Sequence, residues 1–143
     1  MSERKVSVSR VIDAPAQKIF DVLADPSMHP VIDGSGSVQG SRGGNPERLS
    51  EGAKFGMDMK IGLPYRIRNT VVEFEDGKRI AWRHFGRHIW RYELEPAEGG
   101  TKVTETFDWS KSLAPWYIER AGYPKKHPKG MAATLERLAA QVT

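Results

Sequence analysis

Cysteine is absent from this chain, which removes disulfides, thiolate catalysis and thiolate metal sites from consideration. Long apolar runs are missing as well: no stretch approaches the roughly 18–20 residues that a bilayer span requires. The opening MSERKVSVSR lacks the apolar centre of a secretory signal. Charge of a single sign is scarce too. The 22 Lys and Arg stand against 18 Asp and Glu, a net +4 with the two signs interspersed, so no basic face for nucleic acid is indicated. Gly34-Ser35-Gly36 and the glycines from Gly40 to Gly44 lack the Gly-Lys-Ser/Thr ending of a phosphate loop. No nucleophile elbow, HExxH or dinucleotide fingerprint occurs. What remains is a soluble, cytoplasmic chain of 143 residues, the size of one domain spanning 1–143, with no cofactor and no metal called for. Its 38% hydrophobic and 28% charged content is that of a globular protein rather than of a disordered one. Monomer and homodimer both stay open.

The order of elements carries more. Val6, Val8, Val11 and Ile12 predict a first strand. Asp13-Ala14-Pro15 predicts a helix start with Asp13 as N-cap, and Asp25-Pro26 its end. Residues 33–52 read as a long loop with at most a short strand near Val38. From residue 54 the period becomes two, and Phe55, Met57, Met59 and Ile61 share a face until Gly62-Leu63-Pro64. Asp76-Gly77 predicts a hairpin between residues 65–75 and 78–85, with Glu75 opposite Lys78 and Val71 opposite Trp82. A second hairpin joins residues 88–95 to 101–109, with Leu94 opposite Val103 and Tyr92 opposite Glu105. Met131, Leu135, Leu138 and Val142 form one stripe of a helix over residues 128–142. An antiparallel sheet with helices on one side is an α+β architecture.

On this register the concave face gathers Met57, Met59, Val71, Trp82 and His84 from the earlier strands, and Trp90, Tyr92, Phe107 and Trp109 from the later ones. A solid core accounts for the apolar members, each aromatic ring contributing on the order of 2–3 kcal/mol when buried. The polar members Asn69, His84, His88, Tyr92 and Glu105 favour instead a cavity with a few convergent polar groups. Met131 and Leu135 of the last helix complete its wall. Glu105 is the leading acid–base candidate, with a raised pKa if desolvated, and the alternative is a buried Glu held by Tyr92, Arg66 or Arg68. His84 and His88 flank Phe85-Gly86-Arg87 but have no third ligand at a recognisable spacing. His29 and Asp33 read chiefly as a cap and turn, with a place at the cavity mouth as the other option. The run Lys125-Lys126-His127-Pro128-Lys129 reads as a solvated cluster.

Two stretches carry a family resemblance. Residues 8–25, VSRVIDAPAQKIFDVLAD, resemble the start of the START-like (SRPBCC) superfamily, and Gly99-Gly100-Thr101-Lys102-Val103-Thr104-Glu105-Thr106-Phe107 is similar to its turn-and-strand near the C-terminus. The superfamily includes polyketide cyclase/dehydrases and lipid-transfer proteins. The resemblance implies a helix-grip fold, a bent antiparallel sheet of about seven strands wrapped around a long C-terminal helix. It also implies a hydrophobic small molecule held between them, with Trp116-Tyr117-Ile118 over one end of the cavity, either as an aromatic lid or as ordinary packing. It does not choose between carriage and chemistry. Three functions stay open: binding or transport of a lipid, polyketide-like or aromatic molecule; an aromatase/cyclase or dehydratase using Glu105 or a histidine such as His84 as general base with Tyr92 as donor; and a partner-binding domain without a ligand. The dioxygenase branch resembles this chain least, because its iron–sulfur ligands need cysteines, which are absent.

Overall fold

The computed structural model describes residues 4–35, 38–41, 45–61, 63–83, 88–112, 115–120 and 122–143. The β-branched opening forms β1 (Lys5–Ile12), and the period-two segments form β3 (Lys54–Ile61), β4 (Leu63–Glu75), β5 (Arg79–Arg83), β6 (Ile89–Ala97) and β7 (Gly100–Asp108). The short β2 (Val38–Ser41) lies inside the long loop. These seven strands make one antiparallel sheet in the order β1-β7-β6-β5-β4-β3-β2. Its helices are α1 (Ala16–Leu23), α2 (His29–Ile32), α3 (Pro115–Arg120) and the long α4 (Tyr123–Val142). The sheet curls around α4, which is the α+β helix-grip arrangement. Among the described residues no helix is long and apolar enough to cross a membrane.

The strand register follows the alternation. Tyr92 lies opposite Glu105 and Leu94 opposite Val103. The first hairpin differs in detail. Its turn has three residues, Asp76-Gly77-Lys78, with Glu75 opposite Arg79, Lys78 N–H bonded to Glu75 O, and Gly77 at φ +78°, the left-handed region that favours glycine. A bulge between Val71 and Glu73 absorbs the extra residue, and Val71 still meets Trp82. The second turn is tighter than expected: Ala97 pairs with Gly100, and Pro96 belongs to the strand.

Two helix starts also differ from expectation. Pro15, not Asp13, is the N-cap of α1, and no side chain caps it. A bend at Asp13 and Ala14 precedes it, with Ala14 N–H bonded to Ile12 O and Thr101 Oγ1 donating to Ala14 O. A 3-10 turn over Pro26–Met28, capped by Asp25, then leads directly into α2. At the other end α4 begins at Tyr123 rather than at Pro128: Pro124 sits in the first turn, where a missing N–H breaks no ladder bond, and Pro128 lies inside the helix.

The main core joins Phe20 and Leu23 of α1, Leu135, Leu138 and Val142 of α4, and Phe55, Val71, Ile80 and Leu94 of the sheet. A smaller cluster of Phe107, Trp109, Ile118 and Met131 closes the other end. On the convex face Arg91 grips both oxygens of Glu73, at 2.8 and 2.6 Å, and reaches Asp108 at 3.4 Å.

Candidate functional site

Between the two clusters the sheet and α4 do not meet, and a cavity of about 310 Å³ remains. That is at the lower end of the range for small-molecule sites. Period-two alternation supplies its floor: Met57 and Met59 from β3, Tyr65, Ile67 and Asn69 from β4, Trp82 from β5, Trp90 and Tyr92 from β6, Glu105 and Phe107 from β7. The roof is His127, Gly130, Met131 and Thr134 of α4, with Ile118 of α3. His29, Ile32, Asp33, Ser35 and Val38 close the side. That side is pinned to the roof by two bonds, Gly34 N–H to Thr134 Oγ1 at 2.9 Å and the Arg137 guanidinium to Asp33 O.

Electrostatics single out Glu105. It is 3% exposed, and its Oε1 has no hydrogen-bond partner. Burial pushes its carboxyl up to about 8; the neighbouring Tyr92 hydroxyl offsets part of that rise and the Asp33 charge adds to it. Glu105 is therefore a neutral carboxylic acid at pH 7. Tyr92 is raised well above its ordinary value by burial, and by the charge of Glu105. Burial lowers His29 and His127, so both imidazoles are held towards the neutral form. His29 Nε2 lies 2.8 Å from Leu23 O, which makes Nε2 the protonated nitrogen. His127 sits edge-on to Phe107 and Trp90, with ring centroids at 4.5 and 5.0 Å.

The structure brings together Met57, Met59, Trp82, Trp90, Tyr92, Glu105, Phe107 and Met131 of the expected wall, with Asn69 and His88 beside them. Four expected residues stand elsewhere. Val71 is 1% exposed in the main core, because β4 borders the cavity only through its first half and passes under the helices beyond Asn69. Leu135 packs in that same core, one turn of α4 past Met131. Trp109 lies just beyond β7 with its indole N–H on Glu119 Oε2 at 3.2 Å, packed against α3. Trp116 is 63% exposed, since α3 turns Ile118 inward and Trp116 and Tyr117 to solvent; the lid is one isoleucine. His84 falls outside the described residues.

Arg66 and Arg68 do not hold Glu105: both are exposed on β4, and Arg66 faces Asp58. For His29 and Asp33 the two sequence readings coexist. The Asp33 carboxylate accepts from Ser35 N, Ser35 Oγ and Val38 N, a turn in its own right, while both residues line the cavity. Tyr65 and Ile67 were available to the alternation that runs through Asn69. Ser35, Gly130 and Thr134 carried no sequence signal. Among the described residues no three His, Asp or Glu side chains converge as a metal site.

Comparison with known proteins agrees with this geometry. Residues 3–143 match the family described as polyketide cyclase / dehydrase and lipid transport. An uncharacterized Mycobacterium tuberculosis protein, Rv0088, is 38% identical over 143 residues, covering 96% of this chain and 63% of that protein. The chain thus spans less than two thirds of the length of that curated relative. Among solved structures, CV1439 from Chromobacterium violaceum superposes with a TM-score of 0.75 at 21% identity, covering 96% of each chain. An AHSA1-like protein from Aeromonas hydrophila gives 0.67 at 19% identity, covering 95% of this chain and 90% of that one. At such identities the likeness is one of fold. With the family match spanning nearly every residue, the chain belongs to the polyketide cyclase / dehydrase and lipid transport family of the START-like (SRPBCC) superfamily.

Proposed function

We propose that this protein binds and carries a hydrophobic small molecule in the cavity between its sheet and α4. The observation that carries the reading is an unfilled space of about 310 Å³ walled by Trp82, Trp90, Phe107, Met57, Met59 and Met131. Transfer of apolar ligand surface from water contributes roughly 25 cal/mol per Å². Thioether side chains repack easily around different shapes. The test is native mass spectrometry of protein purified from its own host, followed by solvent extraction of the bound molecule. An Ile118→Trp variant, whose larger ring fills the roof, should lose the adduct while keeping the fold. Retention of the same adduct by that variant places the molecule elsewhere.

A second reading, aromatase/cyclase or dehydratase chemistry on a polyketide-like substrate, is favoured by one observation: Glu105 lines the cavity and its Oε1 is buried and unpartnered. A carboxyl with a pKa of about 8 begins the reaction at neutral pH as a general acid rather than as the base expected from sequence. Glu105→Gln separates the two readings. A catalyst loses turnover while its ligand affinity holds; a carrier has no turnover to lose.

A further inference from the structure

We propose that the cavity selects an uncharged ligand that offers an acceptor oxygen, such as a ketone, to Glu105 Oε1, and that it rejects the matching carboxylate. This rests on the binding reading above and narrows it to a ligand class. The first observation is geometric. Glu105 is central in the sheet, between Val8 of β1 and Tyr92 of β6; it lines the cavity, and its buried Oε1 has no hydrogen-bond partner. A buried polar atom in an otherwise satisfied interior marks a place where a partner is missing.

The second observation is the sign of the wall. The chain has a net charge of +4, yet the described residues lining the cavity include neither Lys nor Arg. The acids there are Glu105 and, across from it, Asp33 after α2. The other titratable groups facing the space are His29 from α2, Tyr65 from β4, His88 just before β6, Tyr92 in β6, and His127 from α4. His29 spends its Nε2 proton on Leu23 O, and burial disfavours the cationic forms of His29 and His127. An incoming carboxylate therefore meets two acids without a lysine or arginine counter-charge among them, and its desolvation goes uncompensated. A carbonyl oxygen instead receives the proton of Glu105, which is neutral below about pH 8.

Three matched probes test this: 2-acetylnaphthalene, 2-naphthoate and 2-ethylnaphthalene, titrated against the purified protein by tryptophan quenching and calorimetry. Near pH 6 the ketone should bind about tenfold or more tightly than the carboxylate, and more tightly than the hydrocarbon. Raising the pH to about 9.5 should remove the ketone's advantage over the hydrocarbon, as Glu105 ionises. Glu105→Gln, which keeps a donor but cannot titrate, should abolish that pH dependence; Glu105→Leu should abolish the ketone's advantage at every pH. Naphthoate binding as tightly as the ketone, or a ketone preference unchanged in Glu105→Leu, overturns the proposal while leaving the binding reading intact. Failure of all three probes to bind overturns both.

Discussion

His29 of α2 lies nearly flat against Trp82 of β5, with ring centroids 4.7 Å apart and planes inclined by 23°. The same imidazole meets Phe55 edge-on at 5.3 Å and bonds Leu23 O at the end of α1. One side chain thus ties the first helix, the side wall of the cavity and the middle of the sheet.

Replacing it separates these functions. His29→Ala should lose about 2–4 kcal/mol, combining a lost ring with an unsatisfied carbonyl. His29→Phe, which keeps the ring, should lose about 1–2 kcal/mol. Because the folded protein holds this histidine below its ordinary value of 6.5, its contribution is complete above that pH and is lost as pH falls through the lowered value. Urea unfolding curves should therefore show a smaller acid sensitivity in His29→Phe than in the parent.

Glu105 gives the opposite sign. Its folded value of about 8 lies above the unfolded value of 4.5, so stability is greatest below about 4.5 and declines as pH rises to about 8. Glu105→Gln removes that decline. The variant should match the parent near pH 4.5 and exceed it by a few kcal/mol at pH 9. A constant difference across that range would contradict the raised carboxyl.

On the convex face, Arg91 neutralises Glu73 and Asp108, and it holds the Glu73 carboxyl below its ordinary range chiefly through its hydrogen bonds. Arg91→Ala leaves two half-buried carboxylates facing each other. A loss of about 1–3 kcal/mol is expected, less than for a fully buried pair because water reaches all three groups. Thermal denaturation at pH 7 measures it, and Glu73→Gln in the same background should recover part of the loss.

Gly34 is placed by close approach. A Cβ there would lie 2.5 Å from Ala133 Cβ and Thr134 N and 2.6 Å from Gly130 O. Gly34→Ala must therefore push the Asp33–Ser35 turn off α4, at about 1–3 kcal/mol. Ser35, Gly130 and Thr134 all line the cavity, so the variant should also release a bound fluorescent probe faster in stopped-flow displacement.

Alternation explains how far the site could be read in advance. A strand side chain's face is fixed by parity alone, so one correct pairing, Tyr92 opposite Glu105, placed Trp90 and Phe107 as well. The Asp76-Gly77-Lys78 turn is one residue longer than the expected pair, and a bulge of one residue between Val71 and Glu73 restores the parity. Parity does not say where along a strand the cavity ends. Val71 shares the face of Asn69 but lies under the helices, and Trp109 shares that of Phe107 but lies against α3. The side wall was the least legible part: Ile32 ends the one-turn α2, Val38 opens the four-residue β2 and Ser35 lies in the bend between them, elements too short for a period to show, and the segment is placed by bonds from Ser35 and Val38 to Asp33 and from Gly34 to Thr134.

By itself the sequence determined the order of elements, the α+β class and the faces of the strands, since periods of two and 3.6 are local properties of the chain. Tertiary structure alone decided that the inner face stays partly open, that Glu105 loses water without gaining a cation, and that α3 offers Ile118 rather than its aromatics to the cavity. These depend on how far the sheet curls before it meets α4. That distance is set by packing between residues about a hundred positions apart, as where Gly34 touches Thr134.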